Sequence, residues 1–166
     1  PIVVGAKGAS NLPEGIETNG TVPAHSGLRA HLWEQVTLPC LLNEEEYDVF
    51  HTPAGNPLVL FNTPLITTIH DISPVTHPEW FTRSYVALYR ILTPLAVRVS
   101  NQIITVSEFA RDEIVEIYPE AKGKTNVIYN GVEPRDPTNA EPVDTLDTRR
   151  FLLFVGSTNP RKNLSG

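Results

Sequence analysis

Hydrophobic residues along this chain fall into short continuous runs separated by longer stretches of helical spacing. Ile2 to Val4, Asp48 to His51, Leu65 to His70, Gln102 to Val106 and Asn126 to Tyr129 are strand-length runs bounded by turn residues. Runs of this kind suit strands covered on both faces of a parallel sheet. Between them, Phe81, Tyr85, Leu88, Leu92, Leu95 and Val99 recur at helical spacing. They predict a long helix with Pro78 in its first turn, Thr76 as its cap and a kink at Pro94. A second helix is predicted to start after Ser107, a favoured cap residue, with Glu108 in its first turn and Pro119 as its stop. A shorter helix is expected around Arg29 to Val36, interrupted by Pro39. Lys7 to Gly27 is rich in Gly, Pro, Asn and Ser and reads as loop. Strands alternating with helices predict an α/β domain: a Rossmann-like parallel sheet with helices on both faces.

The pattern changes after Asn130-Gly131, a turn signal. Glu133 to Thr148 is polar, proline-bearing and without period, as an interdomain linker would be. Phe151 to Val155 then forms another apolar run, predicted to be a buried strand. It leads into Gly156, Pro160 and the adjacent cations Arg161 and Lys162, with Asn163 placed to cap a helix from Leu164. A strand, a turn and a capped helix with two cations suit an anionic ligand such as phosphate. The P-loop pattern fails, because Arg161 and Lys162 follow Gly156 where Gly-Lys-Ser/Thr is needed. The bland alternative is a pair of solvated surface cations. The expected division is residues 1–132 as a first domain with its opening strand missing, 133–150 as linker and 151–166 as the truncated start of a second domain.

Composition narrows the function classes. The 166 residues are 40% hydrophobic and carry a formal charge of −6, which suits a globular protein and argues against nonspecific nucleic-acid binding. Cys40 is the single cysteine, so no internal disulfide or cysteine zinc cluster forms, and a reducing, cytoplasmic setting is expected. No run reaches membrane-spanning length; peripheral contact with the inner face of a membrane stays open. The sequence has no methionine and begins with Pro1.

In an open α/β sheet, ligands bind beyond the carboxyl ends of the strands. His51, the His70-Asp71 pair, Ser107 and Asn130 each follow an apolar run, so the sheet would gather them along one rim. Taken separately, Ser107 also reads as a helix cap, Asn130 as a left-handed turn residue and His51 as a loop histidine. His70 and Asp71 form the strongest pair: an imidazole there binds a substrate hydroxyl, and the carboxylate orients groups or accepts a proton. A metal site of His70, Asp71 and His77 matches no standard spacing, and no metal or cofactor is expected. Gly5-Ala-Lys-Gly8 does not supply the glycine turn of a dinucleotide-binding epimerase.

Several segments together resemble a known family: Leu32-Trp33-Glu34-Gln35-Val36-Thr37-Leu38-Pro39, Asp48-Val49-Phe50-His51-Thr52-Pro53, Thr68-Ile69-His70-Asp71-Ile72-Ser73-Pro74, His77-Pro78-Glu79-Trp80-Phe81, Thr105-Val106-Ser107-Glu108-Phe109, Tyr129-Asn130-Gly131-Val132, and Phe154-Val155-Gly156-Ser157 with Pro160-Arg161-Lys162-Asn163. In order and spacing they resemble the retaining GT-B glycosyltransferases of family 4, also called group 1, and best its mannosyltransferase-like branch that builds bacterial surface polysaccharides. The resemblance implies two Rossmann-like domains across a cleft, the first holding the acceptor and the second the nucleotide sugar. This chain would be an incomplete N-terminal domain, inactive alone. The implied substrates are a nucleotide sugar and a glycan or lipid-linked acceptor. Lys162 resembles the lysine that binds the donor diphosphate, with Arg161, Gly156 and Ser157 beside it. Ser157 stands where some members place an arginine. His70 resembles the histidine that approaches the donor sugar, and Asp71 would orient it or help bind acceptor. A retaining transfer of this kind requires no protein nucleophile. The competing reading from another class is a noncatalytic saccharide- or partner-binding α/β module.

Overall fold

The computed structural model describes residues 2–3, 17–18, 33–42, 47–53, 55, 63–132, 154–156, 162 and 164. The chain divides into two compact units, Pro1–Phe50 with Leu58–Pro64 and His51–Pro57 with Leu65–Gly166.

In the first unit β1 (Ile2–Val3) runs parallel to β2 (Glu17–Thr18), with Ile2 opposite Glu17 and Val3 opposite Thr18. β2 lies inside the glycine- and proline-rich stretch expected to be loop. Two paired residues are too few to leave a periodic trace in the sequence. A π-helical turn at Trp33–Thr37 leads directly into α1 (Leu38–Leu42). The predicted interruption at Pro39 is therefore corrected. The wider π turn precedes the proline and gives its ring room that a regular α-turn would deny it. Leu38 is buried here, with Trp33, Tyr47 and Phe50 packed against it.

The second unit is built on the sheet β3-β4-β5-β6, with β3 at Phe50–Thr52, β4 at Leu65–Thr68, β5 at Gln102–Thr105 and β6 at Thr125–Val127. β4, β5 and β6 are mutually parallel, with Thr67 opposite Ile103 and Ile103 opposite Thr125. The four predicted runs thus all carry strands, each shorter than its run. Helices flank this sheet: α2 (Ser73–Thr76), α3 (Arg83–Val99) and α4 (Glu108–Ile117). The α/β class with a parallel sheet stands. Ile103, on β5, is completely buried and packs with Ile69, Ile72, Ala96, Val97, Ile114 and Ala121. The core thus joins the middle of the sheet to the last turns of α3 and to α4. Full burial of an isoleucine or valine is worth about 1.5–3 kcal/mol, so Ile72, Val97, Ile103 and Ile114 anchor the unit.

The predicted start of the long helix is corrected. Thr76 ends the short α2, Pro78–Trp80 forms a separate 3₁₀ turn, and α3 begins at Arg83 after Thr82, whose side chain makes no cap bond. The two prolines, Pro74 and Pro78, each suit the first turn of a helix, and so they divide the segment into successive turns. α3 runs on through Pro94 to Val99. Its buried residues are Val86, Thr93, Ala96 and Val97. The small residues allow α3 to lie close to its neighbours, while Leu88, Leu92, Leu95 and Val99 are half-buried and Tyr85 and Ile91 exposed. Lys124 fastens the end of α3, with Nζ donating to the carbonyls of Val97 at 2.6 Å and Ser100 at 2.9 Å.

The strand expected at Phe151 to Val155 is not formed where it is described. Phe154 and Val155 lie outside any strand and are exposed. An isolated segment cannot satisfy its backbone as a strand, and the sheet order ends at β6. Residues 151–153 and the linker expected at 133–148 lie outside the described residues, as do most of Lys7 to Gly27 and the helix start at Arg29.

Candidate functional site

The carboxyl end of β4 is where three of the predicted site residues, His51, His70 and Asp71, meet. β3 and β4 are neighbours in the sheet, so His51 on β3 and His70, two residues beyond β4, fall at one edge. His51 Nε2 lies 2.9 Å from Thr68 Oγ1. His70 Nε2 lies 3.2 Å from the Pro53 carbonyl. The two contacts run in opposite directions across the same pair of strands and clasp the end of β3 to the end of β4. Both imidazoles are exposed, so each retains an accessible edge.

The Pro53 contact decides the chemistry of His70. A carbonyl only accepts, so Nε2 carries the hydrogen and donates it. In the neutral ring Nδ1 is then the lone-pair nitrogen, available to accept from a hydroxyl. Asp71 Oδ1 accepts from the Ser73 amide at 2.9 Å, an Asx turn that sets the path of the chain from β4 into α2. Ile69, immediately before His70, bonds through its amide to the Ile104 carbonyl at 2.8 Å and is buried. The backbone before His70 is therefore held by the sheet, while the pair itself faces solvent.

Ser107 follows β5 as the N-cap of α4, its Oγ accepting from the Ala110 amide at 3.1 Å. It sits on the rim as predicted and performs the capping role. Arg111, one turn into α4, forms ion pairs with Glu108 and with Asp112. The hydrogen bond to Asp112 leads the effects that raise its pKa, so its charge is fixed but already shared between carboxylates. Asn130 lies beyond β6 in an exposed segment, residues 128–132. His51 thus lies within β3, while His70 with Asp71, Ser107 and Asn130 follow β4, β5 and β6 in turn, at parallel strand ends.

The cationic turn is only partly described. Gly156 lies in an exposed bend, and a Cβ there would meet Cζ of the Phe154 ring at 2.9 Å. Lys162 is exposed. Ser157 and Arg161, and the cap expected at Asn163, lie outside the described residues. Among the described residues no three His, Cys, Asp or Glu side chains gather as a metal site. His77 instead stacks on Trp80, ring centroids 4.1 Å apart, and pairs with Glu79.

Two contributors were missed from the sequence. The Pro53 carbonyl is a main-chain group and leaves no trace in side-chain patterns. Gly55 has φ +74°, and a Cβ there would come within 3.6 Å of the Thr68 carbonyl. The glycine lets the loop after β3 turn back beside the end of β4; a lone glycine after Thr-Pro-Ala was the available signal.

The chain is similar to known glycosyltransferases. The model of Glycosyltransferase Family 4 matches residues 3–136. An O-antigen chain mannosyltransferase of Salmonella typhimurium, RfbU, is 30% identical over 97 residues, covering 58% of this chain and 26% of that protein. O-antigen chain mannosyltransferase B of Escherichia coli is 32% identical over 108 residues, 61% of this chain and 28% of its own length. A glycogen synthase of Mycobacterium tuberculosis is 27% identical over 127 residues, covering 76% of this chain and 30% of that enzyme. The chain therefore spans between a quarter and a third of the length of these three relatives.

Proposed function

We propose that this chain, which belongs to glycosyltransferase family 4, supplies the acceptor-side wall of a cleft in which a hexosyl unit passes from a nucleotide sugar to a glycan or lipid-linked acceptor, with retention of configuration. A mannosyl unit is the form favoured by likeness to the two O-antigen chain enzymes. The observation that carries the reading is the clasped pair at the ends of β3 and β4, within the region the family model covers.

His70 is the residue that meets the reacting sugar. With Nε2 held by Pro53, its Nδ1 accepts from a sugar hydroxyl and fixes the ring in the orientation for transfer. Asp71, anchored through Ser73, keeps the turn in place and orients His70 or helps bind the acceptor. His51, Ser107 and Asn130 line the same rim. The donor diphosphate falls to a second domain, which the greater length of the relatives accommodates. There Gly156 and Ser157 offer backbone amides, and Arg161 and Lys162 offer positive charge to the departing phosphate. Stabilising that leaving group is the main electrostatic demand of a same-face transfer, and no protein nucleophile is required. Residues 1–132 act as the first domain, 133–150 as linker and 151–166 as the opening of the second.

The test is nucleoside diphosphate release by the full-length protein across a panel of nucleotide sugars, with and without a mannose-terminated oligosaccharide. Release from one donor, stimulated by acceptor, is expected. No release from any donor, together with calorimetric saccharide binding, would make the protein a binding module instead.

A further inference from the structure

The sheet's hold on the chain ends one residue past β6, where the Ile128 amide donates to the Thr105 carbonyl at 2.8 Å. Tyr129, Asn130, Gly131 and Val132 follow, all exposed and outside any helix or strand. Among the described residues neither Asn130 nor Gly131 takes part in a hydrogen bond, through backbone or side chain. The glycine is not demanded by the fold either. Positive φ is confined, among the described glycines, to Gly55 and Gly123, and a Cβ at Gly131 would meet no atom within 4 Å.

An asparagine side chain beside an unhindered backbone nitrogen is an electrophile beside a nucleophile. The amide nitrogen of the next residue reaches Cγ when the backbone between them is free to turn, and a side chain on that residue crowds the approach. Glycine has none and adopts the widest range of backbone angles. A hydrogen bond on either group would hold the two apart, and at Asn130-Gly131 there is none. The two other asparagines among the described residues are restrained. Asn101 Oδ1 accepts from the Leu65 amide at 2.9 Å, and Asn126 Nδ2 donates to Gln102 Oε1 at 2.9 Å. Each is followed by a strand residue that carries a side chain, Gln102 and Val127.

We propose that Asn130-Gly131 is a site of spontaneous covalent modification, at which the asparagine closes to a succinimide and is deamidated. The Gly131 nitrogen gives up its proton and bonds to Asn130 Cγ; the Cγ–Nδ2 bond breaks and Nδ2 leaves as ammonia with that proton. Water then opens the ring. Addition at Cγ restores the main chain with aspartate, and addition at the Asn130 backbone carbonyl carbon leaves isoaspartate, with the main chain running through Cγ. Water is the only co-reactant. Either product puts a carboxylate on the rim after β6 where a neutral amide stood. What this does to activity rests on the function proposed above: the donor is anionic, so the new charge opposes its entry.

Peptide mapping by mass spectrometry tests it, on the full-length protein taken fresh and after storage in warm, mildly alkaline buffer. Aspartate and isoaspartate should accumulate at Asn130 and faster as the pH is raised, because the attacking nitrogen must be deprotonated, while Asn101 and Asn126 keep their amides. Gly131→Ala should melt at the parent's temperature and lose the conversion, and Asn130→Gln, which would need a larger ring, should lose it too. Asn19-Gly20, the other such pair in the sequence, lies outside the described residues; the map reads it separately, and Gly131→Ala leaves it in place. An amide retained at Asn130, conversion no faster than at Asn101 and Asn126, or equal conversion in Gly131→Ala would overturn the proposal. In the stored parent, but not in stored Gly131→Ala, KM for the nucleotide sugar should rise with the fraction converted. Conversion with KM unchanged would count against Asn130 lining the transfer cleft and leave the modification standing, so the two failures are distinguishable.

Discussion

Thr67 and Thr105 lie on neighbouring strands of the same sheet, both completely buried, yet their hydroxyls are in opposite situations. Ser100 Oγ lies 2.6 Å from Thr67 Oγ1 and 2.6 Å from the Ala96 carbonyl. A hydroxyl has one proton and a carbonyl only accepts, so Ser100 donates to Ala96 and Thr67 donates to Ser100. Thr105 Oγ1, by contrast, has no hydrogen-bond partner among the described residues. Valine is the same shape as threonine with a methyl in place of the hydroxyl, so Thr67→Val and Thr105→Val gain equal apolar burial. Their difference isolates the hydrogen bond. Thr67→Val loses a buried bond worth about 1 kcal/mol, while Thr105→Val removes an unpaired buried hydroxyl that costs about 1–3 kcal/mol. Thr105→Val should therefore be the more stable of the two by at least about 2 kcal/mol, and more stable than the parent chain. For a chain of this size that is a gap of about 4–8 °C in melting temperature, readable by circular dichroism. Equal melting temperatures, or a less stable Thr105→Val, would refute the reasoning by showing that the Thr105 hydroxyl is satisfied in solution.

Three further substitutions check how the site is held. Ser107→Ala should lose about 1 kcal/mol through the missing α4 cap, and Ser107→Asp should retain most of it; thermal melts of the pair separate capping from any contact with substrate. Lys124→Met leaves the carbonyls of Val97 and Ser100 without their charged donor and should cost about 1–3 kcal/mol in urea unfolding, with Lys124→Arg recovering part. Gly55→Ala forces a side chain into a left-handed conformation and should cost about 1–2 kcal/mol; a melting temperature equal to the parent's would show that the loop after β3 relaxes freely.

The strands were legible because a buried parallel strand needs an unbroken apolar run, and Leu65 to His70 or Gln102 to Val106 has little else it can become. The cap at Ser107 was legible for the same reason: it depends on one side chain and the amide three residues later. Apolar spacing predicted the helix but not its buried residues: close packing with Ile103 and Ile114 selects Ala96 and Val97, while the larger Ile91 and Tyr85 stay exposed. The break between Thr76 and Arg83 was missed because Pro78 satisfies the rules of a long helix's first turn as well as those of a separate 3₁₀ turn. On the rim, His51 and His70 could be placed at strand ends from the sequence. Their bonds to Thr68 and to the Pro53 carbonyl join positions 17 residues apart, which local pattern cannot reveal.

The central claim is that His70 stands at the sugar-transfer site, and the most direct measurement compares His70→Ala with His77→Ala in initial-rate turnover by the full-length protein. His77 is a near neighbour in sequence occupied by Trp80 and Glu79, and its removal should leave kcat unchanged. His70→Ala should lower kcat by about 100-fold, the scale of a positioned polar group acting on the transition state. Equal rates in the two variants would contradict the account.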